Sequence, residues 1–364
     1  MICCRSSALI LSTLTATSVS LGAPTFTLLP GYDGYVTALN PNGTVGVGFN
    51  NPSSSSTLAR YWIPGGPSFV IPSLGGTKSS AGDISDDGLT VVGSSTLPGS
   101  SDRVAFRWTP SGGTQSLGTL GGSSSTATGV SRDGSVVIGS SRTIDGVTTP
   151  YRWTAQTGMV PFSQTAPFTL TSVSADLSRA AGIVVSANGQ HQAVQWTASS
   201  GRQVLDFPPN TSSDALGVSA NGQFVFGQYK PSANSSTHIF RWSESSGVQD
   251  IPVPAGGSVN GYAISGDGSM LGGFMNLNHK IDGFIWTAET GMVPATSYLQ
   301  NAGVELDGWR IWSVNSISDD GRTVAGQAFK EWNWYPFIVT GLPIPAPSTF
   351  LAFGGALFAF RRQR

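Results

Sequence analysis

The sequence predicts an all-β fold, a seven-bladed β-propeller in which each blade is a sheet of four short strands. Three observations predict it: a turn residue, a glycine that closes an apolar run, and a tryptophan each recur along the chain at a period of roughly 45 residues. A period of this length is typical of propeller blades, whereas the turns of a β-helix are shorter. Such blades bury both faces of each sheet against their neighbours.

The turn residue opens each copy and is always Asp or Asn. It stands at Asn42, Asp87, Asp133, Asp176, Asn221, Asp267 and Asp320. Tight hairpins need positive φ angles, which Asn, Asp and Gly tolerate, and Gly follows this residue in every copy except at Leu177. We interpret these residues as structural turns rather than calcium or acid–base sites, because the Asp-x-Asp-x-Asp-Gly spacing of a calcium loop is absent. Leu177 predicts a different turn in its copy.

The closing glycine follows six residues later and ends a short apolar run. It stands at Gly48, Gly93, Gly139, Gly182, Gly227, Gly273 and Gly326, and the last interval is the longest. These seven copies predict seven blades.

The tryptophan lies in the next predicted strand, at Trp62, Trp108, Trp153, Trp196, Trp242 and Trp286. The residue two positions earlier is aromatic or apolar in most copies, which is the two-residue period of a half-buried strand. We interpret this stripe as core between neighbouring sheets; a platform for sugar rings is the alternative. In the seventh copy Val339 replaces the tryptophan.

The seventh copy ends after Thr340 and lacks a fourth strand. Residues 26–29 precede the first turn and resemble the fourth strands of other copies. We therefore predict that the N-terminal strand completes the last blade, which removes two exposed sheet edges.

Both ends of the chain differ from the repeats, so we divide it into residues 1–23, 24–342 and 343–364. Residues 1–23 have the basic start and apolar stretch of a secretory signal peptide, and they contain both cysteines, Cys3 and Cys4. The exported chain is therefore expected to carry no disulfide or thiol chemistry. The net charge of −1 leaves no basic footprint for nucleic acid.

The repeat resembles the HAF family of extracellular repeats. The matching residues are 74–76 (Leu-Gly-Gly), 84–88 (Ile-Ser-Asp-Asp-Gly) with 91–93 (Val-Val-Gly), and 105–108 (Ala-Phe-Arg-Trp). The resemblance extends over roughly residues 30–340. It implies a bacterial, surface-associated protein and no defined activity.

The C-terminal segment resembles a PEP-CTERM sorting signal. It contains Pro345, Ala346, Pro347 and Ser348, then an apolar stretch over 350–360, then Arg361 and Arg362. The family's usual central Glu is Ala346 here. The resemblance implies processing by an exosortase-type membrane protease, transient membrane contact, and release to the cell surface or extracellular matrix of a Gram-negative-type bacterium. The apolar stretch is shorter than the roughly 17–25 residues of an ordinary membrane span, and a hydrophobic tail or amphipathic anchor is the alternative.

The sequence shows no catalytic motif, metal site or cofactor site. His191, His238 and His279 occupy the same loop type in successive copies, but no carboxylate accompanies all three. No pair of carboxylates has the spacing of a glycosidase site, and we interpret Asp83 and Asp86 as ordinary loop residues. A cluster of Asp, Glu, His or Arg converging at the central channel would favour an enzyme instead.

The last copy departs from the repeat by four extra tryptophans beside a tyrosine: Trp309, Trp312, Trp332, Trp334 and Tyr335. We place Trp309 and Trp312 in the loop before the turn, and Trp332 and Trp334 on one strand face. Our hypothesis is an aromatic patch that stacks on a polysaccharide or protein partner. The alternative is that these side chains fill the closure seam in place of the missing core tryptophan.

Two classes of function follow from these observations. We favour an exported, non-enzymatic propeller of the cell surface or extracellular matrix, associated with exopolysaccharide or biofilm, that binds polysaccharide or protein. The alternative is a secreted propeller enzyme, a hydrolase or lyase acting on polysaccharide.

Overall fold

A computed structural model of the chain describes residues 23–31, 33–162, 168–232, 235–254 and 257–343. In these ranges the chain forms seven antiparallel sheets of four strands each, which confirms the predicted seven-bladed propeller. The predicted signal peptide and sorting segment lie almost wholly outside the described residues.

The first strand, β1 (Thr25–Leu28), belongs to the last blade, and blades 1 to 6 each use four consecutive strands. Blade 1 contains β2 (Gly34–Leu39), β3 (Gly46–Ser53), β4 (Ser56–Trp62) and β5 (Ser68–Val70); blade 2 contains β6 (Ser79–Ile84), β7 (Val91–Thr96), β8 (Arg103–Thr109) and β9 (Gly113–Gly118). Blade 3 contains β10 (Gly121–Val130), β11 (Val136–Thr143), β12 (Thr148–Thr154) and β13 (Gly158–Pro161); blade 4 contains β14 (Thr169–Val173), β15 (Arg179–Val185), β16 (His191–Thr197) and β17 (Gly201–Val204). Blade 5 contains β18 (Ser212–Val218), β19 (Phe224–Lys230), β20 (His238–Ser243) and β21 (Gly247–Ile251); blade 6 contains β22 (Gly257–Ile264), β23 (Met270–Leu277), β24 (Lys280–Thr287) and β25 (Gly291–Pro294). Blade 7 contains β26 (Arg310–Ile317), β27 (Val324–Lys330) and β28 (Asn333–Thr340), with β1 as its fourth strand.

The ring closes as predicted, because the N-terminal strand pairs with the last strand. β1 runs antiparallel to β28, from Thr25 opposite Thr340 to Leu28 opposite Phe337. The ring centroids of Phe26 and Phe337 lie 5.7 Å apart. The two ends of the propeller therefore share one sheet, and the edge of β28 is paired rather than open.

Each turn residue is held by the same small hydrogen-bond network. In blade 2, Asp87 Oδ1 accepts from Ser85 Oγ at 2.6 Å and from the Leu89 N–H at 2.8 Å, while Ser85 Oγ accepts from the Thr90 N–H at 2.9 Å. Blades 3 to 7 repeat this network, and in blade 1 Asn40 replaces the serine. The bonds from Ser131 and Ser135 lower the pKa of Asp133 to about 2.

The expectation of a different turn at Leu177 is wrong. Ser174 Oγ donates to Asp176 Oδ1 at 2.7 Å, and the Leu177 N–H donates to the Ser174 carbonyl at 2.9 Å, as in the other blades. Leu177 consequently adopts the left-handed conformation, with φ of 59°. This conformation costs an ordinary residue about 1–2 kcal/mol, which the retained hydrogen bonds offset.

The closing glycines are required by a bulge in the innermost strand of every blade. In β6, Ala81 pairs with Gly93 and Asp83 with Val92, so Gly82 between them is unpaired. The bulge brings a strand carbonyl so close that a Cβ on Gly93 would lie 2.1 Å from the Ser80 oxygen. The corresponding distance is 1.9–2.3 Å at all seven closing glycines, so no side chain fits there.

The repeated tryptophans are core residues, as predicted. All six are at most 9% exposed, and Val339 in the seventh copy is fully buried. Apolar clusters join neighbouring blades; in one of them Phe106 and Trp108 of blade 2 pack with Val45 and Tyr61 of blade 1.

Among the described residues, one helix interrupts the β pattern, and it was not predicted. α1 (Ala295–Asn301) lies between blades 6 and 7, and it buries Ala295 and Leu299. Both side chains belong to the apolar cluster that contains Ile285 of β24 and Ile311 of β26. The helix lengthens the last interval between repeats without adding a strand.

Candidate functional site

The central channel has two chemically different ends. The innermost strands all run in the same direction, so the seven Asp/Asn turns lie on one face of the propeller, which we call the turn face. The opposite face, which we call the hairpin face, carries the starts of the innermost strands and the hairpins between the second and third strands. The unpaired bulge residues line the channel between the two faces: Thr37, Gly82, Thr128, Thr171, Leu216, Tyr262 and Asn315.

At the hairpin face, five aromatic rings from blades 1, 6 and 7 surround a pocket of about 420 Å³, which we call the mouth pocket. The rings belong to Tyr35, Phe49, Tyr262, Phe274 and Trp312. Tyr35 stacks on Phe49 with ring centroids 5.2 Å apart, and the centroids of Tyr262 and Phe274 are 5.7 Å apart. The volume lies within the roughly 300–1,000 Å³ that small-molecule sites occupy.

A second bulge in β26 directs Trp312 into the mouth pocket. Ile311 pairs with Ala328 and Ser313 with Gln327, so Trp312 is unpaired, and it lies in a strand rather than in the predicted loop. Its ring centroid is 6.0 Å from that of Trp334, edge to face, and 5.8 Å from that of Phe329. Bulges of this kind re-aim a side chain, and here the neighbouring rings also hold it in place.

Apart from Val36, the remaining wall of the mouth pocket is polar and uncharged. Gln327 is 1% exposed and its Nε2 donates to the Gly34 carbonyl at 3.3 Å. Asn315 lies beside it, and its buried Oδ1 has no hydrogen-bond partner. None of the residues that line this pocket is Asp, Glu, Lys or Arg. The pocket therefore combines ring faces with amide and hydroxyl groups.

The five predicted aromatic residues of blade 7 fall into two groups of contacting rings: Trp312, Trp332 and Trp334 lie around Phe329, and Trp309 packs with Tyr335. Trp309 and Tyr335 pack edge to face at 5.8 Å, and Trp309 contacts the apolar cluster that includes Val339. Trp332 is 81% exposed in the hairpin turn between β27 and β28, with φ of 63°. The expectation that Trp332 and Trp334 share a strand face is therefore wrong, because the turn takes Trp332 out of the strand.

Sequence reasoning missed four of the five rings in the mouth pocket. Tyr35, Phe49, Tyr262 and Phe274 belong to copies whose repeat pattern is regular, so nothing set them apart. Tyr262 carried the one usable signal, because it occupies a channel position where other copies have Thr, Gly, Leu or Asn.

At the turn face, four charged residues converge at the end of the channel around a space of about 140 Å³: Asp83, Asp86, Arg132 and Asp319. Arg132 Nη1 lies 3.5 Å from Asp86 Oδ2, and Asp83 Oδ2 accepts from the Val130 N–H at 2.9 Å. Burial raises the pKa of both Asp83 and Asp319 to about 6. The interpretation of Asp83 as a loop residue is wrong, since it belongs to β6 and faces the channel.

The three histidines lie in or next to hairpins of blades 4, 5 and 6, and two of them have carboxylate partners. His191 Nδ1 is 2.7 Å from Asp214 Oδ1, and His238 Nδ1 is 3.3 Å from Asp250 Oδ1. Among the described residues, no group of three or more His, Cys, Asp and Glu side chains is arranged to hold a metal ion.

Comparison with solved structures shows the fold. The chain is similar to oligogalacturonate lyase from Vibrio parahaemolyticus, with a TM-score of 0.57 and 11% identity over 86% of this chain and 91% of that one. It is also similar to hydrazine synthase from Kuenenia stuttgartiensis, with a TM-score of 0.55 and 12% identity over 87% and 97% of the two chains. The propeller domain of the Trilobed protease from Pyrococcus furiosus gives a TM-score of 0.54 and 9% identity over 84% and 95%. Likeness at such identity shows a shared propeller architecture alone.

No family model matches the sequence, and no curated protein matches it. Within the part of the chain that the structure describes, no helix is long and apolar enough to cross a membrane.

Proposed function

We propose that the protein is an exported, non-enzymatic propeller that binds polysaccharide through the mouth pocket. The observation that carries this proposal is the convergence of five aromatic rings from three blades at one end of the channel. Aromatic faces supply large, rigid and apolar contact area, which suits the apolar face of a sugar ring. The amides of Asn315 and Gln327 line the same pocket and can exchange hydrogen bonds with hydroxyl groups of such a ring.

The two ends of the sequence support export and surface association. Residues 1–23 have the pattern of a secretory signal, and the segment from Pro345 to Arg362 resembles a sorting signal for an exosortase-type protease. We propose that the mature propeller is released to the cell surface or extracellular matrix of a Gram-negative-type bacterium, where the mouth pocket meets exopolysaccharide. The resemblance of the repeats to the HAF family supports the same location.

The charged cluster at the turn face is the one observation that favours an enzyme. Two facts argue against that role. The space around it, about 140 Å³, is below the roughly 300 Å³ of the smallest ordinary ligand sites. In addition, Asp83 and Asp86 are engaged by neighbouring blades, through the Val130 N–H and the Arg132 guanidinium. We therefore favour a binding function over a catalytic one.

The proposal is tested by retention of the purified protein on a panel of immobilised polysaccharides. Tyr262 is 48% exposed, so Tyr262→Ala removes a ring of the mouth pocket at little cost in stability. We expect at least tenfold weaker retention for this variant. Trp332→Ala removes a ring that is 81% exposed and outside the pocket, and it should bind like the wild type.

A loss confined to Trp332→Ala would assign binding to the exposed tryptophan instead, and wild-type retention of Tyr262→Ala would exclude the mouth pocket. An assay for new reducing ends and unsaturated products, run on the same panel, separates binding from catalysis. Product formation would overturn the non-enzymatic proposal.

A further inference from the structure

A second cavity, of about 750 Å³, lies on the turn face between blades 4 and 5. We call it the basic groove; its charged lining residues are Arg179, Arg241 and Glu244. The rest of its wall is made of hydroxyl, amide and small side chains and of Phe224. Two guanidinium groups therefore face a single carboxylate in a wall that is otherwise neutral.

Arg241 is a buried cation that forms no salt bridge with a described carboxylate, although the charge of Asp267 in the next blade acts on it. It is 7% exposed, and its guanidinium carbon lies 4.6 Å from the ring centroid of Phe224 and 5.1 Å from that of Trp286. Nη1 donates to the Gly268 carbonyl at 3.0 Å and Nη2 to Gln249 Oε1 at 3.4 Å, while Nε has no acceptor. Burial lowers the pKa of Arg241. A buried charge that is only partly satisfied is unfavourable, so its presence calls for a reason.

The propeller architecture explains only part of Arg241. In the same position of blade 2, Arg107 donates through Nε to the Gly134 carbonyl and through Nη2 to Thr90 Oγ1, both at 3.2 Å. In blade 1 the hydroxyl of Tyr61 makes the equivalent bond to the next turn. Blades 1, 2 and 5 thus use this position for one donor toward the neighbouring blade, which Nη1 of Arg241 supplies in blade 5, whereas Ile285 and Ile338 occupy it in blades 6 and 7. Nη2 and Nε of Arg241 take no part in that link.

Arg179 is the second cation, and its carboxylate partner is easily displaced. Its Nη1 donates to Gln195, and its Nη2 lies 3.3 Å from Glu244 Oε2. The Glu244 side chain is 84% exposed. Ion pairs at such exposed positions contribute about 1 kcal/mol or less, so an incoming anion can compete with Glu244 for Arg179.

We propose that the basic groove binds the carboxylate of an acidic sugar residue, with Arg241 and Arg179 as its cationic partners. Guanidinium groups bind carboxylates with directed, charge-assisted hydrogen bonds. Hydroxyl and amide groups from Ser178, Gln223 and Gln249 line the remaining wall, and they suit the hydroxyl groups of a sugar. The site is on the opposite face from the mouth pocket and does not depend on it.

The test is a calorimetric titration of the full chain carrying Tyr262→Ala, so that the mouth pocket does not contribute. Trigalacturonate is the probe, with neutral galactotriose and tetraglutamate as comparisons. We expect saturable binding of trigalacturonate at one site, weakened by added salt, and no binding of galactotriose. Arg241→Met should weaken the binding at least tenfold, whereas Arg107→Met, which alters the equivalent position of blade 2, should leave it unchanged.

Glu244→Gln keeps the test decisive if a core arginine variant fails to fold. Its side chain is exposed, so the fold should tolerate the change, and freeing Arg179 should tighten binding two- to fivefold. Equal binding of galactotriose or tetraglutamate would overturn the proposal. So would equal losses in the Arg241 and Arg107 variants, or weaker binding in Glu244→Gln.

Discussion

The carboxyl group of Asp83 should make the propeller less stable as the pH rises. Asp83 faces the channel from β6, and its Oδ2 accepts a hydrogen bond from Val130 of the next blade at 2.9 Å. Burial, followed by the nearby charges of Asp319 and Asp86, raises its pKa to about 6. The folded state therefore holds this proton more tightly than the unfolded state, where the pKa is near 3.8. This contribution to stability is largest below about pH 4 and falls as the pH rises to about 6.

The size of the effect follows from the shift. Raising the pKa of Asp83 from 3.8 to about 6 corresponds to about 3 kcal/mol, which is an upper limit because part of the side chain faces the channel. Blades 4 and 7 show how to remove the charge and keep the bond: Ser172 Oγ accepts from the Val218 N–H at 3.1 Å, and Ser316 Oγ from the Leu39 N–H at 3.0 Å. Asp83→Ser should therefore be more stable than the wild type by up to about 3 kcal/mol at pH 7.5.

Urea unfolding of both proteins at pH 4, 5, 6 and 7.5 measures this difference. It should be small at pH 4, grow through pH 5 and 6, and level off above. Asp319, whose pKa burial also raises to about 6, remains in both proteins and leaves the variant with part of the pH dependence. A difference that is independent of pH, or a wild type that gains stability relative to the variant on raising the pH, would refute the reasoning.

Two further predictions concern the architecture. Gly93→Ala places a Cβ 2.1 Å from the Ser80 carbonyl oxygen and should lower the free energy of unfolding by at least about 3 kcal/mol. Gly113→Ala is the control, because φ is +64° there but no atom lies within 4 Å of the new Cβ, and it should lower the free energy of unfolding by only about 1 kcal/mol. Similar losses of unfolding free energy in the two variants would show that the bulge in β6 relaxes to admit the methyl group. Removing residues 24–28 exposes the edge of β28. Thermal melting should then show a lower melting temperature, and size-exclusion chromatography should show self-association. Removal of residues 1–22 alone should show neither change.

The blades could be predicted from the sequence because the turn residue and the closing glycine each have a local structural cause that recurs in every copy. The Asp or Asn of the turn accepts backbone hydrogen bonds two residues on, and the closing glycine leaves room for the carbonyl of the bulged strand. Leu177 shows the limit of that reading. The hydrogen bonds of Ser174 and Asp176 hold the turn although leucine disfavours a positive φ. The propensity of leucine alone does not account for these bonds.

The aromatic residues of the last copy show a second limit. Their number marked blade 7 correctly as the place where the repeat changes, but not which rings would be accessible together. Trp312 reaches the mouth pocket because of an extra bulge in β26. Trp332 leaves the strand because it and Glu331 form the hairpin turn, both with positive φ. Bulges and turn positions depend on pairing with the next strand, which a single segment does not reveal.

The sequence by itself determined the number of blades, the four-stranded sheets and the closure by β1, because each depends on one local pattern that the chain repeats or interrupts. Only the tertiary structure decided where side chains from different blades meet. Tyr35 and Trp312 are far apart in the chain and occupy unlike positions in their repeats, yet ring closure makes their blades neighbours. The mouth pocket and the basic groove arise in this way, between copies, where no periodicity within a copy specifies a contact.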